Sequence, residues 1–185
     1  MKVTELAVPG VLLVEPKAFG DPRGFFLESW QRERYAKAGI PADFVQDNLS
    51  RSARGVLRGM HLQNPFAQAK LVSVVYGSVL DVAIDVRVGS PTFGRWVSAE
   101  LTAENHHQLF VPKGCAHGFC VISEWALFSY KCDDNYHPEA EVGVRYDDPD
   151  VGIEWPDVQA TLSEKDLRHP FLRDIPESKL PRFGA

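Results

Sequence analysis

From Gly55 to Arg87 the chain reads "GVLRGMHLQNPFAQAKLVSVVYGSVLDVAIDVR", a β-branched, apolar stretch that nonetheless holds Arg58, His61 and Lys70. Burying such groups without partners costs several kcal/mol, so a core with no task ordinarily avoids them. A histidine exchanges a proton near neutral pH. An arginine or lysine holds an anion or a developing negative charge. Arg58 and His61 are three apart, and regular pleating sends them to opposite faces. If both serve one site, the strand must bulge or break near Gly59, where glycine makes that cheap.

The elements that must position these groups are strands. "LVSVVYG", "SVLDVAIDVRV", "RWVSAEL", "HQLFVP", "GFCVI" and "WALFSYKC" are short, β-branched or aromatic, and separated by turn residues. Their spacing predicts an all-β antiparallel sandwich or barrel. In this reading Lys70, Val72, Val74 and Tyr76 share one face, and Asp81, Ala83, Asp85 and Arg87 share another. A hairpin through Gly77-Ser78 would bring Asp81 towards Lys70 as its counter-charge. Helices are expected only at Ser29 to Gly39, with Ser29 as N-cap and Gly39 at the end, and at Ser163 to Arg168. The tail beyond Pro170 is expected to wrap the surface. Residues 1–185 read as a single domain with its core at about 19–170 and peripheral termini.

Composition limits the function. With 185 residues, 44% hydrophobic, 24% charged and a formal charge of −5, the chain resembles an ordinary globular protein and lacks the net basic character of a nucleic-acid binder. "MKVTELAVPGVLLVEP" has no sustained apolar run of signal-peptide length, and no segment reaches membrane-span length. Cys115, Cys120 and Cys132 are odd in number without a CxxC pair, which suits free thiols in the cytoplasm. Neither nucleic acid nor membrane is an expected partner. No Gly-rich dinucleotide fingerprint is present, which argues against hydride chemistry.

A metal is the first chemistry to weigh. "PKGCAHGF" at 112–119 resembles the second cupin motif, but the first-motif position holds His61-Leu62-Gln63, with no second histidine and no glutamate soon after. Two histidines, His61 and His117, fall short of the three protein ligands usual at catalytic zinc or a facial iron triad. His106 and His107 are adjacent, so in a strand they would point apart. Each singleton also has an ordinary explanation: Arg23, Glu28 and Lys165 as solvated charges, Phe25, Phe26, Tyr130 and Tyr136 as core. Without metal, a histidine, a lysine and a tyrosine suit proton transfer beside a carbonyl. A base removes an α-proton, a cation steadies the enolate, and an acid returns a proton to the other face.

"GDPRGFFLESW", "FVQDNLSRSARGVLRGMHLQ", "AQAKLV", "VPKGCAHGF", "FSYKCDDNYHPEAE", "DDPDVGIEWP" and "LSEKD", in that order from about Phe19 to Asp166, closely resemble the dTDP-4-dehydrorhamnose 3,5-epimerase family. The resemblance implies a cupin-type jelly-roll β-sandwich, a homodimer with exchanged N-terminal strands, and no cofactor or metal. The implied reaction is double epimerisation of dTDP-4-dehydro-6-deoxyglucose in dTDP-L-rhamnose biosynthesis. Carried over residue by residue, His61 matches the general base with Asp166 as its orienting partner. Lys70 matches the enolate stabiliser and Tyr130 the general acid. Arg23, Glu28, Gln46, Asp47, Asn48, Arg58, His117, Glu141 and Lys165 match substrate-binding positions, and Tyr136 matches the ring that stacks on thymine. Arg23 and Glu28 would serve the neighbouring subunit's site. Met60 and Leu62 around the histidine, Asn64, and "CDDNYH" depart from the usual pattern. The last of these, near the stacking ring, leaves open a single-position (5- or 3-) epimerase for an antibiotic or other unusual sugar; a noncatalytic or metal-dependent cupin is the more distant alternative.

Overall fold

The apolar alternation forms thirteen strands, described over residues 1–184 by a computed structural model. The first four are β1 (Lys2–Glu5), β2 (Leu12–Glu15), β3 (Ala18–Asp21) and β4 (Gly24–Leu27). After helix α1 (Arg32–Lys37) come β5 (Gln46–Ala53), β6 (Leu57–Gln63), β7 (Lys70–Tyr76), β8 (Ser78–Asp85) and β9 (Trp96–Thr102). The last are β10 (Gln108–Val111), β11 (Cys115–Val121), β12 (Trp125–Cys132) and β13 (Glu141–Gly143). Six strands form one sheet in the order β1-β2-β10-β7-β12-β5, five form a second in the order β13-β6-β11-β8-β9, and β3-β4 is a separate hairpin. All of these strand pairings are antiparallel. The expected antiparallel sandwich is the fold.

Between the sheets lie Val72, Val74, Val79, Ala83, Leu101, Leu109, Phe119 and Phe128, all buried. Each such side chain contributes about 1.5–3 kcal/mol by leaving water. The outer faces are covered as well. Tyr35 of α1, with Ile40, packs on Leu12, Val14 and Phe110 of the six-stranded sheet. On the five-stranded sheet, Val82, Ile84 and Val86 lie under Leu172, Ile175 and Leu180 of the C-terminal segment. That cover explains why the outer face of β8 is apolar as well, and why the proline-rich tail wraps the surface as expected.

Four local expectations change. β7 and β8 are not a hairpin: the chain leaves one sheet at Tyr76 and enters the other at Ser78. Gly77 permits the crossing with φ +78°, close against the Trp125 carbonyl. Helix α1 starts at Arg32, capped by Gln31, whose side-chain oxygen accepts from the Arg34 amide. Ser29 does not cap; its carbonyl accepts from the Tyr35 hydroxyl and the Gln108 amide. Gly39, at φ +95°, follows the helix end as expected. The second helix shrinks to one 3₁₀ turn, Asp166–Arg168, with the Ser163 hydroxyl accepting from the Asp166 amide. Phe25 and Phe26 are not core: on the β3–β4 hairpin they are 62% and 71% exposed.

Candidate active site

The bulge demanded by the sequence is present. Opposite β11, His61 pairs with His117 and Arg58 with Phe119, so Gly59 and Met60 together face Gly118. Gly59 has φ +130°, and a Cβ there would come 2.6 Å from the Gly118 Cα, so glycine is required at this close approach. The extra residue turns Arg58 and His61 to the same, inner face, while Met60 and Leu62 pack outside.

Both side chains open into a cavity of about 490 Å³ that is also lined by Lys70, His117, Tyr130, Lys165 and Asp166. A second lobe of about 260 Å³ shares His61, Lys70 and Tyr130 and adds Gln46, Asn48, Tyr136 and Glu141. The walls come from both sheets. Lys70 continues the inward Val72–Val74 row of β7, and Tyr130 the inward Phe128 row of β12, both in the six-stranded sheet. His61 and His117 come from the five-stranded sheet. β5 escapes the apolar signal because its inner face is polar: Gln46, Asn48, Ser50 and Ser52 alternate with outward Asp47, Leu49 and Arg51. Ser52 accepts from Arg58 Nε at 3.1 Å, and the Ser50 hydroxyl is buried without a partner.

Each inner histidine has its own carboxylate. His61 Nε2 lies 2.6 Å from Asp166 Oδ1, and His117 Nε2 lies 2.9 and 3.0 Å from the two Asp81 oxygens. Burial raises the Asp166 pKa, but hydrogen bonds from His61 and Ser163 and the His61 charge outweigh it, and the carboxyl sits below its usual range. For the buried Asp81, loss of solvation wins over the His117 contribution and the pKa is raised. Asp81 is thus not the counter-charge of Lys70. Among the described residues Lys70 has neither a side-chain hydrogen bond nor an ion pair, and loss of solvation pushes its ammonium pKa down against Cys132, Asp133 and Glu141. Burial, with Cys132 next, raises the Tyr130 phenol. Glu141 joins two site residues, accepting from the Tyr136 hydroxyl at 3.0 Å and pairing with Lys165 at 2.6 Å.

Three carried-over residues lie elsewhere. Arg23 is on the exposed β3–β4 turn, bonded to Asp21, and Glu28 pairs with Arg34. Asp47, between two inward neighbours, points outward to Lys131. The histidine count made from His61 and His117 was incomplete, because His169 joins His61, with Glu141 also near. His61 is hydrogen-bonded to Asp166 and Glu141 is ion-paired with Lys165, so two of these three groups are already engaged. His169 follows Asp166 by three residues across a single turn, a cue visible only once that turn is known.

The chain as a whole is similar to known proteins. The family model for dTDP-4-dehydrorhamnose 3,5-epimerase matches residues 5–174. The dTDP-4-dehydrorhamnose 3,5-epimerase of Pseudomonas aeruginosa is 55% identical over 168 residues, 90% of this chain and 93% of its own. The crystal structure of the dTDP-6-deoxy-D-glucose-3,5-epimerase of Legionella pneumophila, in complex with dTDP-4-keto-L-rhamnose, superposes with a TM-score of 0.96 at 50% identity, covering 100% of this chain and 99% of that one. A dTDP-4-dehydrorhamnose 3-epimerase of Streptomyces niveus is 41% identical over 168 residues, 90% of this chain and 81% of its own. With its fold and nearly its whole length matched, the chain belongs to the dTDP-4-dehydrorhamnose 3,5-epimerase family.

Proposed function

We propose that this cavity epimerises dTDP-4-dehydro-6-deoxyglucose at both carbons flanking its ketone, as an isomerase of dTDP-L-rhamnose biosynthesis, with proton transfer carried by its own side chains. One observation carries the mechanism: His61 on its aspartate enters from one sheet, while Tyr130 and Lys70, which has no ion pair among the described residues, enter from the other. Inversion at a carbon beside a carbonyl needs a proton to leave one face of the ring and another to arrive on the opposite face.

The geometry supports the following sequence of steps. His61 donates Nε2–H to Asp166, which leaves Nδ1 with the lone pair that takes the α-proton. The C–H electrons move to the ketone oxygen, and the Lys70 ammonium stabilises the enolate where little water competes. Tyr130 then gives its hydroxyl proton to the carbanionic carbon from the other side. A phenol of ordinary pKa about 10 is a weak acid, yet strong enough for an enolate. Solvent restores both groups, and a second round inverts the other carbon. Arg58, His117 and Lys165 in the larger lobe, with Gln46, Asn48, Tyr136 and Glu141 in the smaller, supply donors, cations and an aromatic face for a nucleotide diphosphate sugar.

The preference for two carbons over one follows the relatives, since the 3,5-epimerase is the more similar at 55% and the 3-epimerase the less similar at 41%. The same proposal includes a homodimer that exchanges its N-terminal strands. The detached β3–β4 hairpin, with Phe19, Phe25 and Phe26 exposed, supports it, and it would carry Arg23 to the neighbouring cavity. Sedimentation equilibrium returning the mass of one chain would contradict that arrangement. A cytoplasmic location suits three buried, unpaired cysteines. Incubation with the keto-sugar in heavy water tests the activity itself: deuterium should enter at both flanking carbons with inversion. Exchange at one carbon alone would favour the single-position reading.

A further inference from the structure

The Asp166 carboxylate has two imidazoles beside it. Its Oδ1 lies 2.6 Å from His61 Nε2 and 3.6 Å from His169 Nε2. The His169 ring stands edge-on to His61, with centroids 5.3 Å apart and planes at 79°. It fits there because Gly143, opposite His61 in the β6–β13 register, has no side chain; a Cβ at Gly143 would overlap the ring. His169 Nε2 is buried and has no hydrogen-bond partner among the described residues. A movement of about half an ångström would bring it into bonding range of the carboxylate. His169 lines neither lobe of the cavity, so it acts on no substrate atom directly.

We propose that His169 is a positioning residue for the His61 base: it shares the Asp166 carboxylate with His61 and limits how tightly that carboxylate holds the protonated base. The idea rests on the assignment of His61 as base. Four charged or titratable groups face the ring: His61 from β6, Glu141 from β13, and Lys165 and Asp166 from the turn before it. Burial, and next the charge of His61, hold the His169 pKa below its ordinary value, which favours the neutral ring. A carboxylate that gives all its hydrogen-bonding capacity to one imidazolium stabilises it more, raising the pH at which His61 becomes a free base. A base works best when its pKa lies near the working pH.

The test uses His169→Phe, which keeps a planar ring and removes both nitrogens, and His169→Gln, which keeps a donor. Nitrogen-15 NMR of the free enzyme reads the His61 titration midpoint directly. In His169→Phe it should rise by roughly half a pH unit, because the carboxylate is released to His61. The acid limb of the kcat profile should move upwards with it, with KM changed less than about twofold because no cavity contact is lost. His169→Gln should restore the wild-type midpoint. His169→Ala reads the same midpoint should the Phe variant fail to fold. A midpoint unmoved in the Phe or Ala variant, whatever happens to activity or melting temperature, would reduce His169 to packing and overturn the proposal. The titration needs no turnover. A midpoint that moves in an enzyme unable to epimerise the keto-sugar would therefore count against the activity and not against His169.

Discussion

His61 and His117 stand opposite one another in the β6–β11 register, each on an aspartate, yet the two pairs are built for different work. The His61 side chain is 34% exposed to the cavity, and its aspartate arrives from a one-turn segment after the last strand. The His117 side chain is 9% exposed, and Asp81 lies wholly buried in β8. Asp166 is held below the usual carboxylate range, while Asp81 is pushed above it. A base must exchange protons with both substrate and solvent, and the open pair can do so. The enclosed pair fixes a wall of the cavity. In the proposed mechanism the same two residue types thus serve proton transfer or a fixed binding wall, according to where the carboxylate comes from and how much water reaches it.

Breaking the two pairs should give different signatures. His61→Asn should cost about 10²–10⁴-fold in both epimerisation and solvent exchange while melting near the wild type, because only the base is lost. Near-normal exchange would remove His61 from the mechanism. Asp81→Ala should act chiefly on stability, by about 1–3 kcal/mol in denaturant unfolding, because it strands a buried imidazole nitrogen. If it instead matched His61→Asn in rate with an unchanged unfolding midpoint, the division of labour would fail.

The pairs should also part in acid. A carboxylate held below its unfolded value of about 3.9 contributes stability above that pH and loses it as the pH falls through the folded value. Asp166→Asn should therefore flatten the decline of melting temperature below about pH 4. A steeper decline would mean that the His61–Asp166 contact does not stabilise the fold. The smallest expected effect is that of a chelator. With His61 and Glu141 engaged by Asp166 and Lys165, EDTA should leave turnover intact. Loss restored by zinc, iron or manganese would overturn the metal-free reading.

Much of this was legible in the sequence, and the rest fails for physical reasons. Strands such as β7, β8 and β12 announce themselves through β-branched alternation, and the Arg58–His61 spacing correctly demanded a bulge at Gly59. Pairing is another matter. Gly77-Ser78 looks like a hairpin turn, and nothing local shows that the chain changes sheets there, so the partner of Asp81 was misread as Lys70. β5 was hidden because a strand facing a polar cavity carries no apolar stripe. Asp47 could have been placed by parity alone, since it lies between Gln46 and Asn48 and cannot share their face. The Glu141–Lys165 pair and His169 depend on a long excursion of the chain after β13, whose return to the cavity no local pattern encodes.

The central claim is that base and acid attack from opposite sheets, and Tyr130→Phe in heavy water tests it most directly. Phenylalanine keeps the ring packed against Phe128 and removes only the hydroxyl. His61, Asp166 and Lys70 remain, so the enolate should still form, and His61 should return a solvent-derived deuteron to the original face. The account predicts deuterium in substrate of retained configuration, with epimerised product lower by orders of magnitude. If exchange and epimerisation instead fall together by the same factor, Tyr130 is needed for binding or enolisation, and the two-sided assignment is wrong.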